Sequence, residues 1–159
     1  MVKEKLNQSM YKFLPDDFKH LEQEIEQLST RIKEIGQDMG KSCQEGAETF
    51  HDNFAYEQGE RDQRMWAQRR HELLKFKNHA QIVNPSLNPI VSIGKRIKIK
   101  NQETGEEQTW TIGSYLTFED EHISYAAPIA KLLIGAKSGE MRTGNIAGVV
   151  QTFIVLEVN

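Results

Sequence analysis

The chain has 159 residues, enough for one domain or two small ones. Apolar residues make up 38% and charged residues 27%, with mean hydropathy −0.61 and formal net charge −3. These values argue against disorder, a membrane-spanning protein and a generally basic nucleic-acid binder. The lone cysteine, Cys43, excludes an intrachain disulfide framework and a multi-cysteine zinc site, and it fits a reducing cytoplasm. The opening MVKEKLNQSMYKF lacks an apolar h-region with a small-residue cleavage site, so no secretory signal is expected and the expected location is cytoplasmic.

Taken in order, the chain changes character near Asn84-Pro85-Ser86-Leu87-Asn88-Pro89. Prolines and asparagines so dense read as a linker or sharp turn, which predicts domains at 1–84 and 85–159. In the first part Phe18, Leu21, Ile25, Leu28, Ile32, Ile35 and Met39 alternate spacings of three and four residues. That heptad seam predicts a helix packed along one partner, and Pro15-Asp16-Asp17 supplies its start, because acids in a first turn suit the helix dipole. A second helix is predicted over about Asn53 to Gln81, with Trp66, Leu73 and Ala80 at heptad spacing and Phe76 between them. Residues 16–38 carry seven acids and three bases, and residues 61–77 carry six bases and two acids. Opposite charge favours pairing of the two helices with each other. Gly40, Gly46 and the polar run Lys41 to His51 break the seam, so an antiparallel hairpin is expected with its tip near residues 44–53. An arm of ~28 residues is roughly 40 Å long.

The second part reads as a small β-rich domain. Arg96-Ile97-Lys98-Ile99-Lys100 and Thr109-Trp110-Thr111-Ile112 alternate, and the stretch Asn101 to Glu107 between them is a hairpin loop. Ile123-Ser124-Tyr125 is a further strand. Pro128 to Gly135 reads as a short helix, with proline at its first position and glycine just past its end. Lys137-Ser138-Gly139-Glu140 is a turn, and Val149 to Val158 is a closing buried strand.

The stretch Ile123 to Glu140, ISYAAPIAKLLIGAKSGE, resembles the C-terminal signature of bacterial GreA/GreB transcript-cleavage factors, where a strand precedes Ser-Pro, a short apolar helix ending in Gly, and a Gly-Asp/Glu turn. Val91 to Gly113 resembles the preceding hairpin of that family with its Thr-Gly-Glu-Glu loop. Asp17 to Leu28 is similar to the opening of its first helix, and Asn53 to Tyr56 and Ala80 to Val83 to the start and end of its second. The resemblance covers about residues 14–158. It implies an α+β protein: an N-terminal antiparallel coiled-coil hairpin followed by a small FKBP-like domain with one short helix. It further implies transcription elongation, transcription regulation and DNA binding as the setting, with RNA polymerase as partner. The C-terminal domain, through Ser124, Tyr125, Pro128 and Gly135, docks at the rim of the secondary channel. The arm enters the channel and brings its tip to the RNA 3′ end in a backtracked complex. A monomer is expected, with neither membrane nor small-molecule substrate as partner.

The chemistry implied is metal-assisted phosphodiester hydrolysis by the polymerase's own site. Two metals roughly 4 Å apart serve the attacking water and the leaving oxygen. Magnesium takes oxygen ligands and often only one or two protein carboxylates, so acids carried in from outside can hold a weakly bound second ion. The factor itself is then an accessory and not an enzyme, binding no cofactor alone and sharing Mg²⁺ with the polymerase. The family tip motif is Asp-x-x-Glu-Asn-Ala-Glu-Tyr, and the matching stretch is Thr49-Phe50-His51-Asp52-Asn53-Phe54-Ala55-Tyr56. Asp52 takes the place of the family glutamate, and Asn53 and Tyr56 match as tip-supporting residues. Thr49 stands at the family aspartate without a charge, and Glu48, one residue earlier, is the candidate to replace it. Asp52 and Glu48 are thus the assisting acids and shared metal ligands.

Each of these residues also has an ordinary reading. Glu45, Glu48, Asp52 and Glu57 equally suit a solvated hairpin end. Arg61 and Arg64, with Arg69 and Arg70, suit contact with RNA or polymerase, or pairing with the acidic first helix. His51 beside Asp52 suits a base or a surface histidine, and the other histidines form no zinc set. Trp66 and Trp110 are expected to be structural, and Ala127, where the family has serine, lacks an N-cap acceptor worth ~1 kcal/mol. Three functions follow: a cleavage factor, a channel-binding regulator or inhibitor without cleavage (favoured by Thr49 and the bulky Phe50-His51), and a prolyl isomerase. The last requires Trp110, Tyr115, Phe118, Tyr125 and Phe153 to line one pocket.

Overall fold

The computed structural model describes residues 10–45 and 54–159. Its described residues fall into two compact units. Lys19–His79 forms the helical one; the described residues before Lys19 group with Ala80–Asn159 in the other.

In the helical unit, α1 (Pro15–Glu45) begins within the other unit and continues through Lys19, and α2 is Phe54–Asn78. The heptad seam on α1 packs as a gradient. Leu21, Ile25 and Leu28 are buried, whereas Ile32, Ile35 and Met39 are half-buried. On α2 only Leu73 is fully buried, and Trp66 is half-buried with the Arg31 guanidinium 4.7 Å above its ring. The cross-helix contacts run antiparallel: Glu22 with Lys77 at 2.9 Å, Glu24 with Arg69 at 3.4 Å, Ser29 with Arg70 at 2.6 Å, and Ile32 with Gln63 at 3.4 Å. The ion pairs join the acidic helix to the basic one as their composition suggests. At this exposure such pairs fix register more than they stabilise. The seam ends at Met39, but the helix runs on through Gly40 to Glu45, since one glycine costs only ~1 kcal/mol in a helix.

Helix α2 stops at Asn78, short of the expected Gln81. Ala80 lies in a strand, β2 (Ala80–Ile82), which pairs in parallel with β1 (Tyr11–Phe13). Neither strand was expected, because three residues are too few to show a period. Their pairing moves the boundary of the compact unit from the proline-rich junction at residues 84–89 back to Ala80, and draws in residues from the chain's first part.

The rest of this unit is a five-stranded sheet in the order β5-β4-β3-β7-β6. Its strands are β3 (Arg96–Asn101), β4 (Glu107–Gly113), β5 (His122–Ser124), β6 (Met141–Ile146) and β7 (Val149–Val158), with α3 (Pro128–Leu133) between β5 and β6. The expected hairpin is β3–β4, in which Ile97 faces Trp110 and Ile99 faces Gln108. Val91, Ile97, Ile99, Ile112, Ala130, Leu133, Ala136, Phe153 and Val155 form the core. Strand β6 was not read from sequence, because Met-Arg-Thr-Gly-Asn-Ile offers few apolar residues to carry an alternation. It pairs with β7 through a turn in which Ala147 and Gly148 both take positive φ, 53° and 84°, the signature of a type I′ hairpin. Strand β7 is only partly buried: Phe153 and Val155 are sealed, and Val149 and Val150 at its start are about 60% exposed, at 59% and 63%.

Candidate functional site

The tip residues singled out by sequence, Glu48, Thr49, Phe50, His51, Asp52 and Asn53, lie outside the described residues. What the structure places are the helices on either side, ending at Glu45 and starting at Phe54. Phe54 is 72% exposed, and Tyr56, in the first turn of α2, is 37% exposed. Further along α2 the arginines separate into two sets. Arg69 and Arg70 face α1 through Glu24 and Ser29. Arg64 pairs with Glu60 on its own helix at 3.3 Å with its side chain 78% exposed, and Arg61 is exposed with no ion pair among the described residues. Both are thus presented to solvent, and the cross-helix alternative holds for Arg69 and not for Arg61 or Arg64.

Among the described residues no three His, Cys, Asp or Glu side chains are placed to hold a metal ion together. No described helix is long and apolar enough to cross a membrane.

Ser124 and Tyr125 precede α3, Pro128 is its first residue, and Gly135 follows it. The Ser124 hydroxyl donates to the Tyr115 carbonyl at 2.8 Å and accepts the Ala126 N–H at 3.2 Å, so it shapes the loop into α3. Tyr125 accepts the Lys12 N–H on its hydroxyl at 3.1 Å. Pro128 opens α3, where its missing N–H is no loss, and Ala127 at the N-cap makes no side-chain cap. Gly135 follows the helix with φ 88°, and its N–H donates to the Val91 carbonyl at 2.8 Å, closing the helix end onto the core. Pro128, Lys131, Ile134 and Gly135 are exposed, so the outer side of α3 is open to a partner.

Phe153 is sealed in the core and Trp110 packs against it. The Tyr115 ring meets Tyr11 at 4.5 Å, tilted by 53°, and lies 6.3 Å from Tyr125, which also packs against the core. A prolyl isomerase reading rests on the fold alone, and a fold does not carry a function.

Sequence reasoning missed Asp17 and Ser114. Asp17 is 3% exposed and Ser114 fully buried; the Ser114 hydroxyl donates to the Asp17 carboxylate and accepts the Leu14 N–H at 2.7 Å. Asp17 was visible only as a helix-start acid. Its partner lies 97 residues away, and no local pattern announces such a pair.

Elsewhere, Glu103 in the β3–β4 loop accepts the Thr152 N–H on both oxygens, at 3.1 and 2.9 Å, which holds its carboxyl below the usual range. Lys98 and Glu107 pair across β3–β4 at 2.8 Å; the hydrogen bond and attraction raise the lysine's pKa and lower the glutamate's.

The model of the family "Transcription elongation factor, GreA/GreB, C-term" matches residues 86–159. A protein named transcription elongation factor GreA from Clostridium botulinum (strain Langeland) is 30% identical over 146 residues, covering 89% of this chain and 90% of its own. The protein of the same name from Thermosipho africanus is 28% identical over 129 residues, covering 79% and 81%. A solved structure described as that of the transcription factor Gfh1 aligns over 95% of this chain and 98% of its own, with 17% identity and a TM-score of 0.46. With a helical hairpin, a β-rich unit carrying one short helix, and a relative of 30% identity over nine-tenths of its length, the chain belongs to the GreA/GreB family of transcription elongation factors.

Proposed function

We propose that this chain binds RNA polymerase, passes its helical hairpin into the secondary channel, and stimulates cleavage of backtracked RNA by the polymerase's own active site. The observation that carries the reading is the hairpin itself. A 31-residue and a 25-residue helix pair antiparallel and bracket the stretch that holds Glu48 and Asp52. Two paired helices bury little, with four fully or nearly buried side chains among Leu21, Ile25, Leu28 and Leu73. So small a core suits a rigid carrier of end-group chemistry better than an enclosed site.

In this mechanism the exposed side of α3, around Ser124 to Gly135, docks on the polymerase. Arg61 and Arg64, both turned to solvent, meet RNA phosphate or acidic polymerase surface. Asp52 and Glu48 supply carboxylate oxygens next to the scissile phosphate and orient the attacking water. A magnesium ion shared with the polymerase would take these oxygens as ligands and supply Lewis-acid activation. Asn53 and Tyr56, which match the family motif, are the tip-supporting residues of this mechanism. Catalysis stays with the polymerase, and this chain acts as its accessory.

A second reading, a channel-binding regulator that does not promote cleavage, is favoured by Thr49, uncharged where the family carries an acid, and by the bulky Phe50-His51 pair. The two separate on a backtracked polymerase complex with 3′-labelled RNA and magnesium. Stimulated cleavage that disappears with Asp52→Ala supports the first reading, and loss with Glu48→Ala assigns it the role vacated at Thr49. Binding with slowed elongation and no cleavage supports the second.

A further inference from the structure

Residues Tyr11 to Phe18 are threaded through the C-terminal unit. One side of β1 pairs with β2, and the Val83 N–H donates to the Phe13 carbonyl at 2.8 Å. The other side meets the ends of β4 and β5. The Lys12 N–H donates to the Tyr125 hydroxyl at 3.1 Å, the Tyr115 N–H to the Lys12 carbonyl at 3.0 Å, and the Leu14 N–H to the Ser114 hydroxyl at 2.7 Å. Then α1 starts, and its first turn is tied down by the same serine. The Ser114 hydroxyl donates to Asp17, and the Ser114 backbone N–H reaches the same carboxylate at 3.4 Å. A hydroxyl has one proton and two lone pairs. Ser114 gives its proton to α1 and a lone pair to Leu14, the residue that joins β1 to α1, so one buried side chain holds the passage from strand to helix. Phe13, fully buried, and Phe18 meet edge to face at 6.2 Å beneath this clasp.

We propose that Ser114, Asp17 and the Tyr125 hydroxyl are positioning residues: together they fasten strand β1 and the first turn of α1 to the C-terminal unit. Strand β1 and the first turn of α1 thereby belong to the unit that carries the α3 surface. The Tyr125 hydroxyl is committed to the Lys12 amide, and the Ser114 hydroxyl to Leu14 and Asp17.

The test is amide hydrogen exchange, residue by residue, on the full chain and its variants. Tyr125→Phe is expected to speed exchange at Lys12 by about tenfold and to leave Leu14 nearly unchanged. Ser114→Ala is expected to speed Leu14 by a similar factor. Asp17→Ala loosens the first turn of α1, and Asp17→Asn, which keeps an acceptor for the serine proton, restores most of the protection. A site-by-site pattern of this kind is not what general destabilisation produces, because that accelerates all slow amides together. Uniform acceleration in every variant, or no change at Lys12 in Tyr125→Phe and at Leu14 in Ser114→Ala, overturns the proposal. If Ser114→Ala fails to fold, Tyr125→Phe and the Asp17 pair decide alone. Because exchange is read on the free protein, the outcome stands apart from whether the chain acts on RNA polymerase.

Discussion

Leu73→Ala probes whether the helical hairpin is held by its seam. Leu73 is the fully buried side chain of α2, and across the hairpin its counterparts are the buried Leu21, Ile25 and Leu28. Removing three carbons loses about 2.4 kcal/mol of transfer free energy at ~0.8 kcal/mol each. A cavity adds to this, and Leu→Ala changes in cores span about 2–5 kcal/mol. The hairpin is only two helices thick, so water and neighbouring side chains relax into the gap. Alanine returns only a few tenths of a kcal/mol in helix propensity. The expected loss is therefore about 3 kcal/mol, in the lower half of the range for core leucines. The chain has two tryptophans, Trp66 on α2 and Trp110 on β4, one in each unit. Urea unfolding followed by fluorescence in a Trp110→Phe background reports the helical unit, and in a Trp66→Phe background the β-rich one. Leu73→Ala is expected to shift the Trp66 transition. Met65→Ala, removing a side chain 53% exposed on the same helix, is expected to stay within about 0.5 kcal/mol. A loss below about 1 kcal/mol at Trp66 would refute the seam as the source of the hairpin's stability.

Three further outcomes follow from the β-rich unit. Ala147 carries a positive φ, which an alanine adopts at a cost of about 1–2 kcal/mol, so Ala147→Asn is expected to raise the thermal midpoint of this unit. Ala127 caps α3 with no side-chain acceptor, and Ala127→Ser is expected to stabilise by about 1 kcal/mol, read as a higher urea midpoint at Trp110. Glu103 has its carboxyl pKa lowered by the Thr152 N–H, so its contribution is present above the ordinary glutamate value of 4.5 and is lost as pH falls through the lower folded value. Glu103→Gln should weaken the fold at neutral pH and flatten the loss of stability below pH 4.5; an unchanged acid limb in a pH titration of stability would contradict the assignment.

The parts of the fold legible in sequence were those with a period. Seven apolar residues from Phe18 to Met39 announced α1, and the alternation around Ile97 and Trp110 announced β3 and β4. The Pro128 to Gly135 stretch announced α3 by its end residues. Strands β1 and β2 escaped because each is three residues long and is made by pairing across nearly seventy positions of sequence. Strand β6 escaped because its turn uses Ala147 where a hairpin signal would be asparagine, and because Gly144 and Asn145 interrupt its pattern. Beyond the periodic elements, residue types marked where α1 and α2 face the undescribed stretch between them, and the α3 segment. They could not tell Arg69, turned to Glu24, from Arg64, turned to solvent, because both sit on one basic helix and only the packing angle separates them. Nor could they reveal that Tyr125 and Asp17 find their partners in distant parts of the chain.

Whether the hairpin reaches the polymerase's catalytic centre can be read directly from Cys43. It is the chain's single cysteine, exposed, and near the end of α1. Coupling an iron chelate to Cys43 and triggering hydroxyl-radical cleavage in a complex with backtracked RNA polymerase maps what lies within reach of that position. Cuts are expected in the polymerase segments around the catalytic magnesium and in the extruded RNA. Cuts confined to the outer surface of the polymerase, with the RNA intact, would contradict that reach.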